Sequence, residues 1–201
     1  MKLRGLYAIT PEDIGRVAPA LASGALCALQ YRNKSADAAR RRDEARALAR
    51  LCRKHGVPLI VNDDVELALE VDAAGVHLGR DDGELAVARA RLPGRILGAS
   101  CYDRLELAER AVAAGADYVA FGSVFPSSTK PSAVRAPLAL FARARQLGVP
   151  LVAIGGITLA SAPQLVAAGA DAVAVISDLF DAPDVAARAQ AYAKVFAHEI
   201  A

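Results

Sequence analysis

The sequence predicts a closed (β/α)8 barrel. Three observations carry that expectation: an internal repeat, strict alternation of strand-like with helix-like segments, and polar residues gathered at one end of the strands. The repeat shows as Ala22-Ser23-Gly24-Ala25, Ala73-Ala74-Gly75-Val76, Ala113-Ala114-Gly115-Ala116 and Ala167-Ala168-Gly169-Ala170, each followed by an apolar run. Every copy reads as helix, stop, strand, because glycine accepts the left-handed conformation just past a helix C-terminus.

Taken in order, the short Val-, Ile- and Leu-rich runs place strands near residues 3–9, 25–32, 58–63, 75–80, 96–101, 118–124, 150–155 and 172–177. Amphipathic stretches of helical length lie between them, as from Asp37 to His55 and from Arg104 to Ala114. Strands that alternate with helices are parallel and joined by right-handed crossovers, and eight such units close a barrel. An open doubly wound sheet is the alternative architecture. With no linker or low-complexity stretch, residues 1–201 are expected to form one barrel domain.

Composition agrees. Apolar residues make up 54% of the chain, aromatics only 5%, and Trp is absent, which suits a layered parallel-sheet interior. The 24 basic and 22 acidic residues are well mixed, so no electrostatic pull toward nucleic acid is expected and a small-molecule partner fits better. The basic helix face formed by Arg40, Arg41, Arg42, Arg46, Arg50 and Lys54 reads as solvated. Cys27, Cys52 and Cys101 have no metal-type spacing and are expected to be reduced core residues. No apolar stretch approaches the roughly twenty residues of a membrane span, and the expected location is the cytosol.

Barrel enzymes carry their chemistry at the C-terminal ends of the strands. Gln30, Arg32 and Lys34 follow strand two at a spacing of two and share a face if the chain stays extended. Two cations at a barrel mouth call for an anion, and a phosphate or diphosphate offers several acceptor oxygens; rim salt bridges are the structural alternative. Asn62-Asp63-Asp64 and Asp81-Asp82 end adjacent strands, bringing carboxylates close enough for one hard cation. Mg2+ fits, although Asp64 and Asp82 also suit helix caps. Gly155-Gly156-Ile157-Thr158 is expected to open the seventh helix, and with Ser177 it suggests a second anion site. Lys130 lies on a long Ser-, Thr- and Pro-rich connection after strand six, within reach of the mouth. His77, inside strand four, reads as a satisfied structural histidine.

In order and at similar spacing, seven segments resemble the thiamine phosphate synthase family: Gln30-Tyr31-Arg32-Asn33-Lys34, Val61-Asn62-Asp63-Asp64, Gly75-Val76-His77-Leu78-Gly79-Arg80-Asp81-Asp82, Gly98-Ala99-Ser100, Ser128-Thr129-Lys130, Gly155-Gly156-Ile157 and Val175-Ile176-Ser177. The resemblance runs from Tyr7 to about Phe180. It implies a transferase that joins a pyrimidine diphosphate to a thiazole phosphate, or its carboxylated precursor, and releases pyrophosphate by a dissociative displacement. It further implies that Gln30, Tyr31, Arg32, Asn33, Lys34, Asn62, Ser100 and Lys130 hold the pyrimidine diphosphate, and that Asp63 and Asp82 bind one Mg2+. Ser127, Ser128, Thr129, Gly156, Ile176 and Ser177 would hold the thiazole phosphate, with Arg32, Lys34 and Lys130 acting in the chemical step. A homodimer is implied as well. Departures are Ser127 where Thr is common, Arg80 where Gln is common and Tyr102 where His often occurs.

Two rivals share the fold. A thiazole tautomerase would need an acid-base residue, which in that branch is a His just after the strand-five Ser, where this chain has Tyr102. A phosphate-ligand sensor would bind at Gly156 and Ser177 without turnover, and the presence of Asp63, Asp82 and Lys130 argues against it.

Overall fold

The apolar runs pair with their sequence neighbours to form one closed, all-parallel barrel of eight strands in sequential order. The computed structural model describes residues 3–80, 82–126 and 134–197. The strands are β1 (Gly5–Ile9), β2 (Leu26–Tyr31), β3 (Leu59–Asn62), β4 (Gly75–Leu78), β5 (Ile96–Tyr102), β6 (Tyr118–Phe121), β7 (Leu151–Ile154) and β8 (Ala172–Val175). Six of them end earlier than the periodicity suggests, β6 and β8 among them. After β6 the Ser123 hydroxyl donates to Phe125 O at 2.7 Å, while Val124 N and Phe125 N still donate to Ile154 O and Gly155 O at the end of β7. Ile176 leaves extended geometry and starts a helix after β8.

The helices are α1 (Val17–Ala22), α2 (Ala38–His55), α3 (Val65–Glu70), α4 (Leu85–Arg91), α5 (Leu105–Ala113), α6 (Ala139–Ala144), α7 (Ala162–Ala168), α8 (Ser177–Phe180) and α9 (Val185–Ala197). Asp37 caps α2 by accepting from Arg40 N at 2.8 Å, and Gly56 ends it at φ 67°. The basic face of α2 is braced by ion pairs: Arg42 and Arg46 reach Glu70 of α3 at 2.9 and 2.8 Å. None of the described helices is long and apolar enough to cross a membrane.

Side-chain alternation sorts the core into two shells. Leu3, Tyr7, Ile9, Ala28, Ile60, Tyr118, Ala120, Val152, Ala172 and Ala174 fill the barrel. The opposite faces of the strands pack under the helices, where Phe121 and Phe141 meet edge-on at 5.6 Å, a geometry worth about 0.5–1.5 kcal/mol beyond area burial. Cys52 and Cys101 are buried and Cys27 is half-buried; all three are free thiols, as expected.

The repeat works as expected at Gly24, Gly115 and Gly169, which have positive φ. Gly75 differs. It already belongs to β4, and a Cβ there would overlap the backbone of Ile96 in β5, so close strand approach is what demands glycine. Asp72 takes the left-handed position after α3 instead. Two copies of the repeat continue into Asp117 and Asp171, whose carboxylates accept from Leu97 N at 2.7 Å and Leu151 N at 2.9 Å. Each ties the start of one strand to the turn before the next.

Candidate functional site

The C-terminal strand ends converge as expected, and the β2 end is held from two sides. Thr10, just past β1 and buried, brackets the Arg32 backbone: Arg32 N donates to Thr10 Oγ1 at 2.9 Å, and Thr10 Oγ1 donates to Arg32 O at 3.2 Å. Glu44 of α2 holds the other side. Its Oε2 accepts from Tyr31 OH and from Asn33 Nδ2, both at 2.9 Å, and its Oε1 from Arg40 at 2.7 Å. Asn33 Oδ1 in turn accepts from Ser35 N and Ala36 N and shapes the loop that carries Lys34.

The side chains of Tyr31 and Asn33 are turned away from the barrel mouth. Both side chains are buried on the helix-facing side of β2, with their polar atoms committed to Glu44 and the loop backbone. The physical reason is strand parity, which turns Gln30 into the barrel and Tyr31 away from it.

Lys34 reaches Asp63 at 3.0 Å. Asp63 adopts φ 66°, a left-handed conformation costing a non-glycine residue about 1–2 kcal/mol, and its N–H donates to His77 O at 2.9 Å. Its carboxyl is hydrogen-bonded to that of Asp82, brought in from the adjacent β4 end. Asp82 Oδ2 also accepts from Gly79 N at 2.7 Å, and a Cβ on Gly79 would sit 2.8 Å from that oxygen. Burial pushes Asp63 up, but the hydrogen bond from Asp82 and the Lys34 ammonium outweigh it and leave Asp63 below its ordinary pKa. Burial and the neighbouring Asp63 raise Asp82. Two carboxyls brought together beside a lysine ammonium are a donor set that a hard divalent cation satisfies.

The adjacent acidic residues divide their roles. Asp64 is a helix cap, accepting from Leu67 N at 2.9 Å, and pairs with Arg41 at 2.6 Å. Asp82 does not cap α4; the position before that helix is Glu84. Asp81 lies outside the described residues. Among the described residues no cluster of three or more His, Cys, Asp or Glu forms, so the metal reading rests on the Asp63–Asp82 pair. A cleft of about 490 Å3 opens beside this pair, between α3 and α4.

His77 behaves as the structural histidine expected of it. Its Nδ1 meets Tyr118 OH at 2.9 Å and its Nε2 meets Ser100 Oγ at 2.8 Å. Burial holds the imidazole down at about 4, with Asp63 opposing, so the ring is neutral at physiological pH. Tyr118 OH contacts Tyr7 OH at 2.8 Å, and Gln30 Nε2 donates to Tyr7 OH at 3.0 Å. Asn62 ends β3 beside His77 in the strand register.

At the far side, Gly155 and Gly156 have φ 103° and 62°. A Cβ on Gly156 would collide with the Pro126 and Phe125 carbonyls. This pair does not open the seventh helix: α7 begins at Ala162, with proline in its first turn, and residues 155–161 form the loop between β7 and α7. Ile176 and Ser177 start α8, which Asp178 anchors by accepting from Tyr192 OH and Arg188 at 2.7 Å each and from Leu159 N at 3.1 Å. Tyr102 ends β5 at φ 54° with the Arg80 guanidinium 4.8 Å above its ring. Ser127, Ser128, Thr129 and Lys130 lie outside the described residues.

Sequence reasoning missed Thr10, Glu44, Tyr7 and Tyr118. Thr10 directly follows the first strand, so its position was a signal. Tyr7 and Tyr118 share inward parity with Gln30 and Ala120, but nothing local said that they meet.

The chain matches the family model described as thiamine monophosphate synthase over residues 6–179. It is 59% identical to a thiamine-phosphate synthase of Aromatoleum aromaticum, the alignment covering 97% of each chain. The likeness to one from Chromobacterium violaceum is also 59%, again over 97% of each chain. Among solved structures it resembles a thiamine phosphate pyrophosphorylase from Pyrococcus furiosus, with TM-score 0.89, 35% identity and coverage of 100% of this chain and 98% of that one.

Proposed function

The chain belongs to the thiamine monophosphate synthase family, and on that premise we propose that it condenses a pyrimidine diphosphate with a thiazole phosphate to give thiamine phosphate and pyrophosphate. The observation that carries the reading is the Lys34–Asp63–Asp82 cluster at the ends of β2, β3 and β4. Such an arrangement binds an anion together with its cation.

In this reading Arg32, Lys34 and Lys130 grip the diphosphate, while Gln30, Asn62 and Ser100 hold the aminopyrimidine. Asp63 and Asp82 hold one Mg2+, which when bound offsets the negative charge growing on the departing diphosphate. Ser127, Ser128, Thr129, Gly156, Ile176 and Ser177 receive the thiazole phosphate, the Gly155–Gly156 loop offering backbone to it at close range. Pyrophosphate leaves first, and the thiazole nitrogen captures the pyrimidine methyl cation. The reaction demands no general base, consistent with a neutral, fully bonded His77.

The test mixes purified protein with both phosphorylated substrates and Mg2+. Thiamine phosphate and pyrophosphate should appear in equal amounts, and chelation should stop both. Full-rate synthesis in excess EDTA with Mg2+ removed would overturn the role of Asp63 and Asp82, and absence of product in any divalent metal would overturn the function.

A further inference from the structure

Inside the barrel, hydrogen bonds cross from β2 to β5 through Gln30, Tyr7, Tyr118, His77 and Ser100, with distances of 3.0, 2.8, 2.9 and 2.8 Å in that order. Gln30, Tyr7, Tyr118 and His77 are all buried, and Ser100 is half-buried at the mouth. The residual space between them is small, about 10 Å3.

With the Gln30 amide donating to Tyr7, counting hydrogens over these direct contacts gives one arrangement. Gln30 Nε2 donates to Tyr7, so the single Tyr7 hydroxyl hydrogen goes to its other partner, Tyr118. Tyr118 has now accepted, and its own hydrogen goes to His77 Nδ1. A neutral imidazole carries one N–H, which must lie on Nε2 and donate to Ser100 Oγ. Ser100 keeps its hydrogen unspent, and that hydrogen points out of the network.

We propose that Tyr7, Tyr118 and His77 are positioning residues for the pyrimidine subsite, setting the Ser100 hydroxyl so that it meets the aminopyrimidine as a donor, toward a ring nitrogen and not toward the exocyclic amine. This rests on the reading that places Ser100 at the pyrimidine. Without the Tyr118 hydroxyl the His77 proton is free to move to Nδ1. Ser100 then turns its hydrogen inward to Nε2 and faces the substrate as an acceptor.

The experiment has two arms on the full chain. The first records nitrogen spectra of the ring of His77, one of three histidines, assigned by difference against His77→Gln. The expected wild-type signature is a protonated Nε2 and a pyridine-type Nδ1, with the opposite tautomer gaining population in Tyr118→Phe. The second is a kinetic cycle of Tyr118→Phe, Ser100→Ala and the double variant. Each single change should raise KM for the pyrimidine diphosphate roughly two- to tenfold, the worth of one hydrogen bond, with a smaller effect on kcat. The double variant should be no worse than Ser100→Ala alone. Tyr7→Phe, one link further from Ser100, should act in the same direction and by less, and serves if Tyr118→Phe does not fold. A pyridine-type Nε2 in the wild type, or additive effects in the cycle, overturns the proposal, since a merely structural tyrosine would move stability and leave both readouts unchanged. If Ser100→Ala leaves KM unaltered while the spectrum shows Nε2–H, the placement of Ser100 at the pyrimidine is what fails, and the proposal with it. Loss of the synthase reading itself appears separately, as absence of product from the wild type.

Discussion

Tyr118 and Gly98 share one slot inside the barrel: a Cβ on Gly98 would fall onto the Tyr118 ring. Glycine on β5 is what lets the β6 tyrosine lie across the interior and reach both Tyr7 and His77. Gly98→Ala should therefore destabilise the protein by about 1–3 kcal/mol through overpacking. In a chain of this size that lowers Tm by roughly 2–4 °C per kcal/mol. Pairing it with Tyr118→Leu should recover part of the stability in thermal unfolding without restoring pyrimidine affinity.

Thr10 makes two hydrogen bonds to the backbone of Arg32, the residue proposed to grip the diphosphate. Thr10→Val keeps the shape and removes both. Steady-state kinetics should show KM for the pyrimidine diphosphate raised roughly two- to tenfold, with KM for the thiazole phosphate unchanged, and Thr10→Ser should restore most of the loss. Equal effects on both substrates would argue against a local brace.

Acid should loosen the fold through Glu44 and Asp178. At each, burial pushes the carboxyl up, but hydrogen bonds outweigh it: from Asn33, Arg40 and Tyr31 at Glu44, and from Tyr192 and Arg188 at Asp178. Their folded-state pKa values therefore lie below the unfolded ones. Such groups contribute stability that is fully present above the unfolded value, about pH 4, and is lost as pH falls through the folded value. Urea unfolding from pH 6 downward should show stability falling from roughly pH 4. Glu44→Gln or Asp178→Asn should lower stability at neutral pH and flatten that acid limb.

Lys130 is proposed to neutralise charge on the departing pyrophosphate. An ammonium whose contact strengthens as charge accumulates contributes more to the transition state than to binding. Lys130→Ala should lower the single-turnover rate by roughly 10²- to 10³-fold while weakening pyrimidine diphosphate binding much less, and Arg should rescue poorly. An unchanged chemical rate with weaker binding alone would make Lys130 a positioning residue.

The strand count, the barrel and the polar end were legible in the sequence because they depend on short-range signals. Side-chain alternation sets which residues face inward, and apolar runs broken by helix stops at Gly24, Gly115 and Gly169 set the order of the elements. Parity even sufficed in principle to turn Tyr31 away from the mouth, although the motif around it suggested a ligand contact. What the tertiary structure alone decided is which inward or mouth-facing groups meet. Asp63 rather than Asp64 joins Asp82, because a left-handed backbone at Asp63 swings its carboxyl across to β4 while Asp64 turns to cap α3. Tyr7 and Tyr118, 111 residues apart, touch because barrel closure and strand register bring β1 and β6 face to face over Gly98. Closure and register are properties of all eight strands together, so no local stretch of sequence encodes those two meetings.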